Sequence, residues 1–433
     1  MSMDALFQRL ITLRPLAVLT RFIMQWVLND ELDDVFEEHR SRQYSRDILF
    51  SQLARTIAEV VLGFAKSPHQ AYKKHRKQLQ ASSTAFYEKL KRVEPQVSEA
   101  MVRHSYRKAR LLQQSLGMDG NEPIDGYHCR MLDGNHLQKT EHRIGELRSL
   151  ASAPLPGTVV ATLELKSRLL DNAYLLEDAH AQESSVLDRL IEDIAARDLM
   201  VADRHFCIVE FLLNLAARQA GFVIRQHGRL KGELLGKCRK IGPVETGVVY
   251  EQQMRIGKTK DRSGLTVRRI TIELKEPTRD GDLEIHILSN VPSSEATACQ
   301  LAELYRRRWA IEHAFYVLTM TLTSEVKSLG NPLAALFVFC MAMVAYNCSR
   351  VLTASLTAAH GEEAVEELSE YSMSHEIAYS TDGLLAVFTE DEWNSQIPNS
   401  PGEHAKFLID VAGHVDLERH RKSRRGPKKK PPE

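Results

Sequence analysis

Residues 199–203 read LMVAD, four apolar residues in a row and then a carboxylate. A strand of this kind has no polar face to show to water, so its sheet needs cover on both sides. The flanking segments supply that cover. Residues 184–198, SSVLDRLIEDIAARD, and residues 208–218, IVEFLLNLAAR, carry apolar residues at helical spacing. A buried strand between two amphipathic helices is the signature of a layered α/β domain.

The neighbouring segments extend the pattern. GYHCRMLD (126–133), TVVATLEL (158–165) and a stretch within SRLLDNAYLLED (167–178) are candidate strands before the first helix, and GFVIRQ (221–226) is a fifth strand after the second. Three adjacent strands followed by helix, strand, helix and strand is the order of a ribonuclease-H-like fold, a mixed sheet with helices on both faces. From about 227 to 292 the β-branched segments TGVVYEQQMRI, LTVRRITIEL and LEIHILSNV are separated by polar turns. They read as a β-rich insertion. A long helix is expected from near Ser294, carrying AELYRRRWAIEHAFYVLT.

The flanks are helical. DILFSQLARTIAEVVLGFA has helical periodicity, and three basic clusters follow it: Lys73, Lys74, Arg76 and Lys77; Lys89, Lys91 and Arg92; Arg103, Arg107, Lys108 and Arg110. Each could be a solvated helix face; three in succession point toward phosphate. The most apolar stretch, 333–346, is too short to span a bilayer comfortably and reads as a buried core helix. Asn331 and Pro332 suit its N-cap and first turn. Residues 362–392 are acidic and expected to be partly helical, and ERHRKSRRGPKKKPPE closes the chain as a basic tail, disordered when free. The expected division is 1–120 (helical), 121–350 (core with insertion) and 351–433 (helices and tail).

Composition excludes little. Basic and acidic residues number 57 each, but segregated charge leaves nucleic acid open as a partner. Six cysteines contain no Cys-x-x-Cys pair, so a zinc ribbon is not expected, and their sparse spacing fits a reducing cytoplasm. No secretory signal pattern opens the chain.

Three carboxylates stand out. Asp203 ends the apolar strand, where a charge needs a partner or a metal; alone, it is equally a helix N-cap or a partner of Arg204. Asp133 ends another candidate strand, on the face shared by Tyr127, Cys129 and Met131, although Asp-Gly-Asn is also common turn chemistry. Glu312 shares a helical face with Tyr305 and Arg308, and a structural Arg–Glu pair is the alternative. Together, oxygen ligands from two strand ends and a helix suit two Mg2+ or Mn2+ ions and in-line phosphoryl displacement. Arg308 and Tyr305 would then bind phosphate.

The residues RMLDGNHLQKTEHRIGELR, LMVADRHFC and LYRRRWAIEHAF, with the terminal RKSRRGPKKKP, resemble the insertion sequence 4 family of bacterial DDE transposases. The second block has the family's Asp-Arg pair, here Asp203 and Arg204, and the third its Tyr-x-x-Arg-x-x-x-Glu signature. The resemblance implies cut-and-paste transposition: metal-dependent cleavage at the terminal inverted repeats of double-stranded DNA, strand transfer into target DNA, and a homodimer on paired ends. It implies Asp133, Asp203 and Glu312 as metal ligands, and Tyr305, Arg308 and Arg204 at phosphate. A nucleoid-associated protein of the bacterial cytoplasm, without membrane contact, is expected. The signature lysine, seven residues after the glutamate, is Thr319 here; Arg306, Arg307 or Lys327 could replace it. No tryptophan lies between Trp26 and Trp309, so a DNA hairpin intermediate is not expected. His136, His205 and His313 neighbour the carboxylates as local hydrogen-bond partners. The rival expectations are a silent DNA-binding derivative and a nuclease of the same fold.

Overall fold

The computed structural model describes residues 3–44, 48–137, 157–177, 181–257, 264–278, 281–326, 329–388, 392–393, 395–398 and 400–422. Lys327 and most of the basic tail lie outside them. Within the described residues, nine strands form one mixed sheet: β1 (His128–His136), β2 (Thr158–Glu164), β3 (Leu169–Leu176), β4 (Asp198–Ala202), β5 (Gly221–Arg225), β6 (Glu233–Val244), β7 (Gly247–Ile256), β8 (Leu265–Leu274) and β9 (Glu284–Ser289). Their order is β3-β2-β1-β4-β5-β9-β8-β7-β6. β1 runs antiparallel to β2 and parallel to β4, and β4 runs parallel to β5.

The five expected strands thus exist, and the apolar β4 sits between β1 and β5, buried along its whole length. The segment at 227–292 joins the same sheet rather than folding apart, because β9 pairs antiparallel with β5. Its first strand, β6, escaped the sequence reading. ELLGKCRKIGPV is exposed on both faces and pairs only with β7, so it carries no burial pattern.

Helices cover both faces. Behind one face lie α1 (Met3–Leu13), α2 (Pro15–Val27), α3 (Glu31–His39), α4 (Phe50–Val61), α5 (Pro68–Leu79), α6 (Ser83–Leu90) and α7 (Pro95–Ser115). On the other face, α8 (Leu187–Glu192) and α9 (Val209–Ala217) bury Leu187, Leu190, Phe211 and Leu212 with Leu132, Met200 and Phe222. Then follow α10 (Ala298–Arg306), α11 (Trp309–Met320), α12 (Pro332–His360), α13 (Glu362–Glu366), α14 (Glu370–Val387) and α15 (Pro401–Ala412).

α12 contains the apolar stretch. The Asn331 side chain accepts from Ala334 N at 3.1 Å and starts the helix, with Pro332 in its first turn. The helix is long and apolar enough to cross a membrane, but its most apolar window is 83% buried inside the protein. A polar residue explains how it docks. Asn347, wholly buried, donates to Ser105 Oγ and Leu170 O and accepts from Leu170 N. It therefore completes the hydrogen bonding of edge strand β3 and ties it to α7.

Two expectations change. The long helix carrying the Tyr-Arg-Glu residues is broken at Arg307 and Arg308 into α10 and α11. The start of the basic tail is folded: Lys422 N donates to Glu367 O and Ser369 N to His420 O.

Candidate active site

Asp133 lies within β1, paired with Ala161, and Asp203 follows the last residue of β4. Leu132 pairs with Ala202, so the parallel register carries both aspartates to the same end of adjacent strands. β1 does not turn at Gly134 but continues to His136. The turn alternative for Asp-Gly-Asn is therefore excluded. The capping alternative for Asp203 is realised, since its Oδ1 accepts from His205 N at 2.7 Å. Arg204 is exposed and makes no ion pair with Asp203 among the described residues.

α10 opens with a capping box. Thr297 Oγ1 accepts from Gln300 N, and Gln300 Oε1 accepts from Thr297 N. At its end the hydrogen bonding tightens to three-residue spacing, Arg308 N to Tyr305 O and Ile311 N to Arg308 O. This short break brings Arg308 and Glu312 over the strand ends. Arg308 Nη2 lies 2.5 Å from Glu312 Oε1 and Nη1 lies 3.6 Å from Asp133 Oδ2. The structural Arg–Glu pair therefore exists, and it reaches into the carboxylate group. Tyr305 is 9% exposed, with its ring centroid 6.0 Å from the Arg308 guanidinium carbon.

The electrostatics mark this end as unsatisfied. Burial pushes the Asp133 carboxyl up to about 7; Arg308 and the Gly134 amide oppose this, while Asp203 and Glu312 add to it. Asp133 thus senses both other carboxylates. Their oxygens are nevertheless not within a mutual 4.8 Å; the group that is, among the described residues, is Glu122, His128 and Glu164.

That second group sits at the opposite end of β1. His128 Nδ1 is 3.0 Å from Asp198 Oδ1, and its Nε2 is 2.9 Å from Glu164 Oε1. Arg110 Nε is 3.0 Å from Glu164 Oε2, and Arg130 pairs with Asp171 at 2.6 Å and with Asp198 at 3.3 Å. The hydrogen bonds that the His128 ring donates to Asp198 and Glu164 hold it at about 9. Burial works against the Glu164 charge, but His128, Ser167 and Arg110 outweigh it and bring Glu164 to about 2.

The remaining expected residues take local roles. His136 Nδ1 is 2.6 Å from Thr158 Oγ1, His205 Nδ1 is 3.5 Å from Asp203 Oδ2, and the His313 ring lies beside Tyr316. Thr319 Oγ1 donates to Phe315 O and Tyr316 O of its own helix. Arg306 is engaged by Glu245 at 2.5 Å and Glu303 at 3.1 Å. Most of the basic clusters are used internally: Arg92 with Glu88, Lys108 with Glu31, Arg103 with Asn172, and Arg110 as above. On α5, Lys73, Arg76 and Lys77 stay exposed. Glu183, in a single turn at Glu183–Val186, escaped the sequence reading. Its carboxylate packs on Gly134, and nothing in QESSV announces that.

A family model for the transposase DDE domain matches residues 161–348. The matched stretch contains Asp203, Tyr305, Arg308 and Glu312 and begins after Asp133. No curated protein matches the chain. The match, with two of the three converging carboxylates inside it, supports a DDE transposase family for this chain.

Proposed function

We propose that this chain is a metal-dependent DNA transposase that cleaves phosphodiesters at transposon ends and transfers the strands to target DNA. In this reading the order β3-β2-β1-β4-β5 is a ribonuclease-H-like core extended by β6 to β9. The observation that carries it is the sharing of Arg308 by Asp133 and Glu312, with Asp203 carried by the parallel register to the same side of the adjacent strand and adding to the raised pKa of Asp133.

The donor set fits Mg2+ or Mn2+. It offers hard carboxylate oxygens and no sulfur. Asp133 is pushed up to about 7, as expected for a buried carboxyl crowded by anions and short of a cation. Arg308 supplies one positive charge to two of the carboxylates. Bound at Asp133, Asp203 and Glu312, a pair of divalent cations supplies activation of water or a DNA 3′-hydroxyl and stabilisation of the leaving oxygen.

The chain's own side chains do the positioning. Arg308 presents a planar fork suited to a phosphate next to the scissile bond. Tyr305, buried against it, fixes the guanidinium. Arg204, exposed beside Asp203, offers a second phosphate contact. The exposed cations of α5 and the basic tail provide sequence-independent affinity, with 1–120 reading transposon ends and 351–433 contacting DNA or a second copy in a homodimer. A bacterial cytoplasmic setting goes with this function.

Cleavage of DNA carrying the native element end, with Mg2+ or Mn2+, tests the reading. Wild type should nick at the element boundary, while Asp203→Asn and Glu312→Gln should bind DNA and leave it intact. Binding without cleavage in wild type with either metal would overturn it in favour of a silent DNA-binding protein.

A further inference from the structure

From Val60 to Tyr87 the chain holds Lys66, Lys73, Lys74, Arg76 and Lys77 and no aspartate or glutamate. Lys74 turns back to Phe64 O at 2.8 Å and toward Glu59 at 3.7 Å. Lys66, Lys73, Arg76 and Lys77 are exposed and form no ion pair among the described residues. The neighbouring cations differ: Lys91 and Arg92 pair with Glu88, and Lys108 pairs with Glu31. The surface of α5 therefore keeps its charge for something outside the chain.

The local structure gives that surface a defined setting. Ser67 Oγ accepts from Gln70 N at 3.2 Å and starts α5, with Pro68 in its first turn. α5 stops at Gln80, which adopts the left-handed conformation at φ 48°. Ser82 Oγ accepts from Ala85 N at 3.1 Å and starts α6, so only Gln80, Ala81 and Ser82 separate the helices. The Tyr72 hydroxyl donates to Ala81 O at 2.7 Å, and its ring lies 5.4 Å from that of the buried Phe86. The turn and the pairing of the helices are thus fixed from within. Ala71, on the buried side of α5, packs with Val60, Ala65 and Val326, and Thr323 N donates to Val61 O at 2.8 Å. This ties the unit to the segment that follows the helix of Glu312.

α6 carries a different chemistry. Thr84 is exposed, Ser83 and Tyr87 are half-buried, and none of the three hydroxyls forms a hydrogen bond among the described residues. A cationic helix, a short fixed turn and a helix with spare hydroxyls divide the work as a helix-turn-helix does. The first helix crosses the phosphates and the second reads base edges. Serine and threonine hydroxyls suit that reading because they both donate and accept.

We propose that α5 and α6 form a helix-turn-helix that holds duplex DNA, with Lys66, Lys73, Arg76 and Lys77 on the phosphates and Ser83, Thr84 and Tyr87 at the base edges. This rests on the DNA-acting reading above and names the element that recognises the transposon end.

Fluorescence anisotropy of the full chain over a salt series tests it, with two labelled duplexes: the native element end and a shuffled sequence of the same length and composition. In the double variant Lys73→Gln, Lys77→Gln, affinity for both duplexes should fall by the same factor, and the log–log salt slope should drop by roughly two units. In the double variant Ser83→Ala, Thr84→Val, affinity for the shuffled duplex should hold while the preference for the element end shrinks roughly fivefold or more. Thermal unfolding of the same samples confirms that the fold is retained. A wild-type salt slope in the lysine variant overturns the phosphate contacts. No preference in wild type, or an unchanged preference in the hydroxyl variant, overturns the reading role of α6. In each of these cases the chain still binds DNA, and the transposase reading stands. Wild type that binds neither duplex would defeat that reading, and the helix-turn-helix with it.

Discussion

The strands β1 and β4 carry charged clusters at both ends, and the two ends behave in opposite ways. At the start, His128, Arg110 and Arg130 meet Glu164, Asp171 and Asp198 at close range. The ion pairs there hold His128 and Glu164 in their charged forms, with His128 raised to about 9 and Glu164 lowered to about 2. At the far end, roughly 16 Å along the strand, Asp133 is pushed up to about 7 against a single arginine. Paired charge ties the sheet to α7 through Arg110 and Glu164. Unsatisfied charge is kept where a ligand can complete it. The residue types alone do not separate these ends; the partners do.

The largest expected effect tests the satisfied end. Arg130→Ala leaves Asp171 and Asp198 buried and unpaired, and should cost about 3–5 kcal/mol. Chemical denaturation should show this loss, with Mn2+ binding unchanged in the folded protein. An equal loss of Mn2+ affinity would mean that the two ends are one system.

A comparable effect on rate is expected at the other end. Asp203→Asn or Glu312→Gln should lower DNA cleavage by about 10²–10³-fold, the scale of deleting one preorganised electrostatic group. Thermal unfolding of these variants should stay close to wild type, since neither aspartate nor glutamate there is matched by a full set of partners. A large drop in stability would give this end a structural role instead.

The pH dependence of stability, measured with a chelator present, should separate the carboxylates of the two ends by sign. Asp133 rises from its ordinary 3.8 to about 7. The folded state therefore holds the proton more tightly, and stability from this group falls as pH climbs through that window. Asp133→Asn should remove that fall. Glu164 drops from 4.5 to about 2, so its contribution is present above 4.5 and lost as pH falls toward 2. His128 rises from 6.5 to about 9, so its contribution is full below 6.5 and lost as pH rises through about 9. His128→Gln should flatten the alkaline limb and leave the Asp133 limb in place.

The smallest effect concerns Thr319, which bonds to its own helix on the face where the signature expects lysine. Thr319→Lys should steepen the salt dependence of DNA binding by roughly one unit of slope. No change would mean that this face does not meet phosphate.

Much of the core was legible because burial writes itself into sequence. LMVAD, covered on both faces, fixed a central strand, and the Asn331-Pro332 pair marked the start of α12. Asp133, Asp203 and Glu312 could be chosen because two end apolar runs and the third sits in a distinctive helix. What was not legible has no periodic trace. β6 is exposed on both faces, the break at Arg307 and Arg308 lies inside a good helical pattern, and Glu183 reaches Gly134 across about fifty residues of sequence. The His128 network was also invisible, since Glu164 and Asp198 become its neighbours only through strand register and Glu122 reaches it from the segment before β1.

One measurement decides between the two ends of β1 directly: anomalous X-ray scattering from crystals grown with Mn2+. The account predicts Mn2+ peaks among Asp133, Asp203 and Glu312. Peaks confined to Glu122, His128 and Glu164, with none at the Asp133 end, would contradict it.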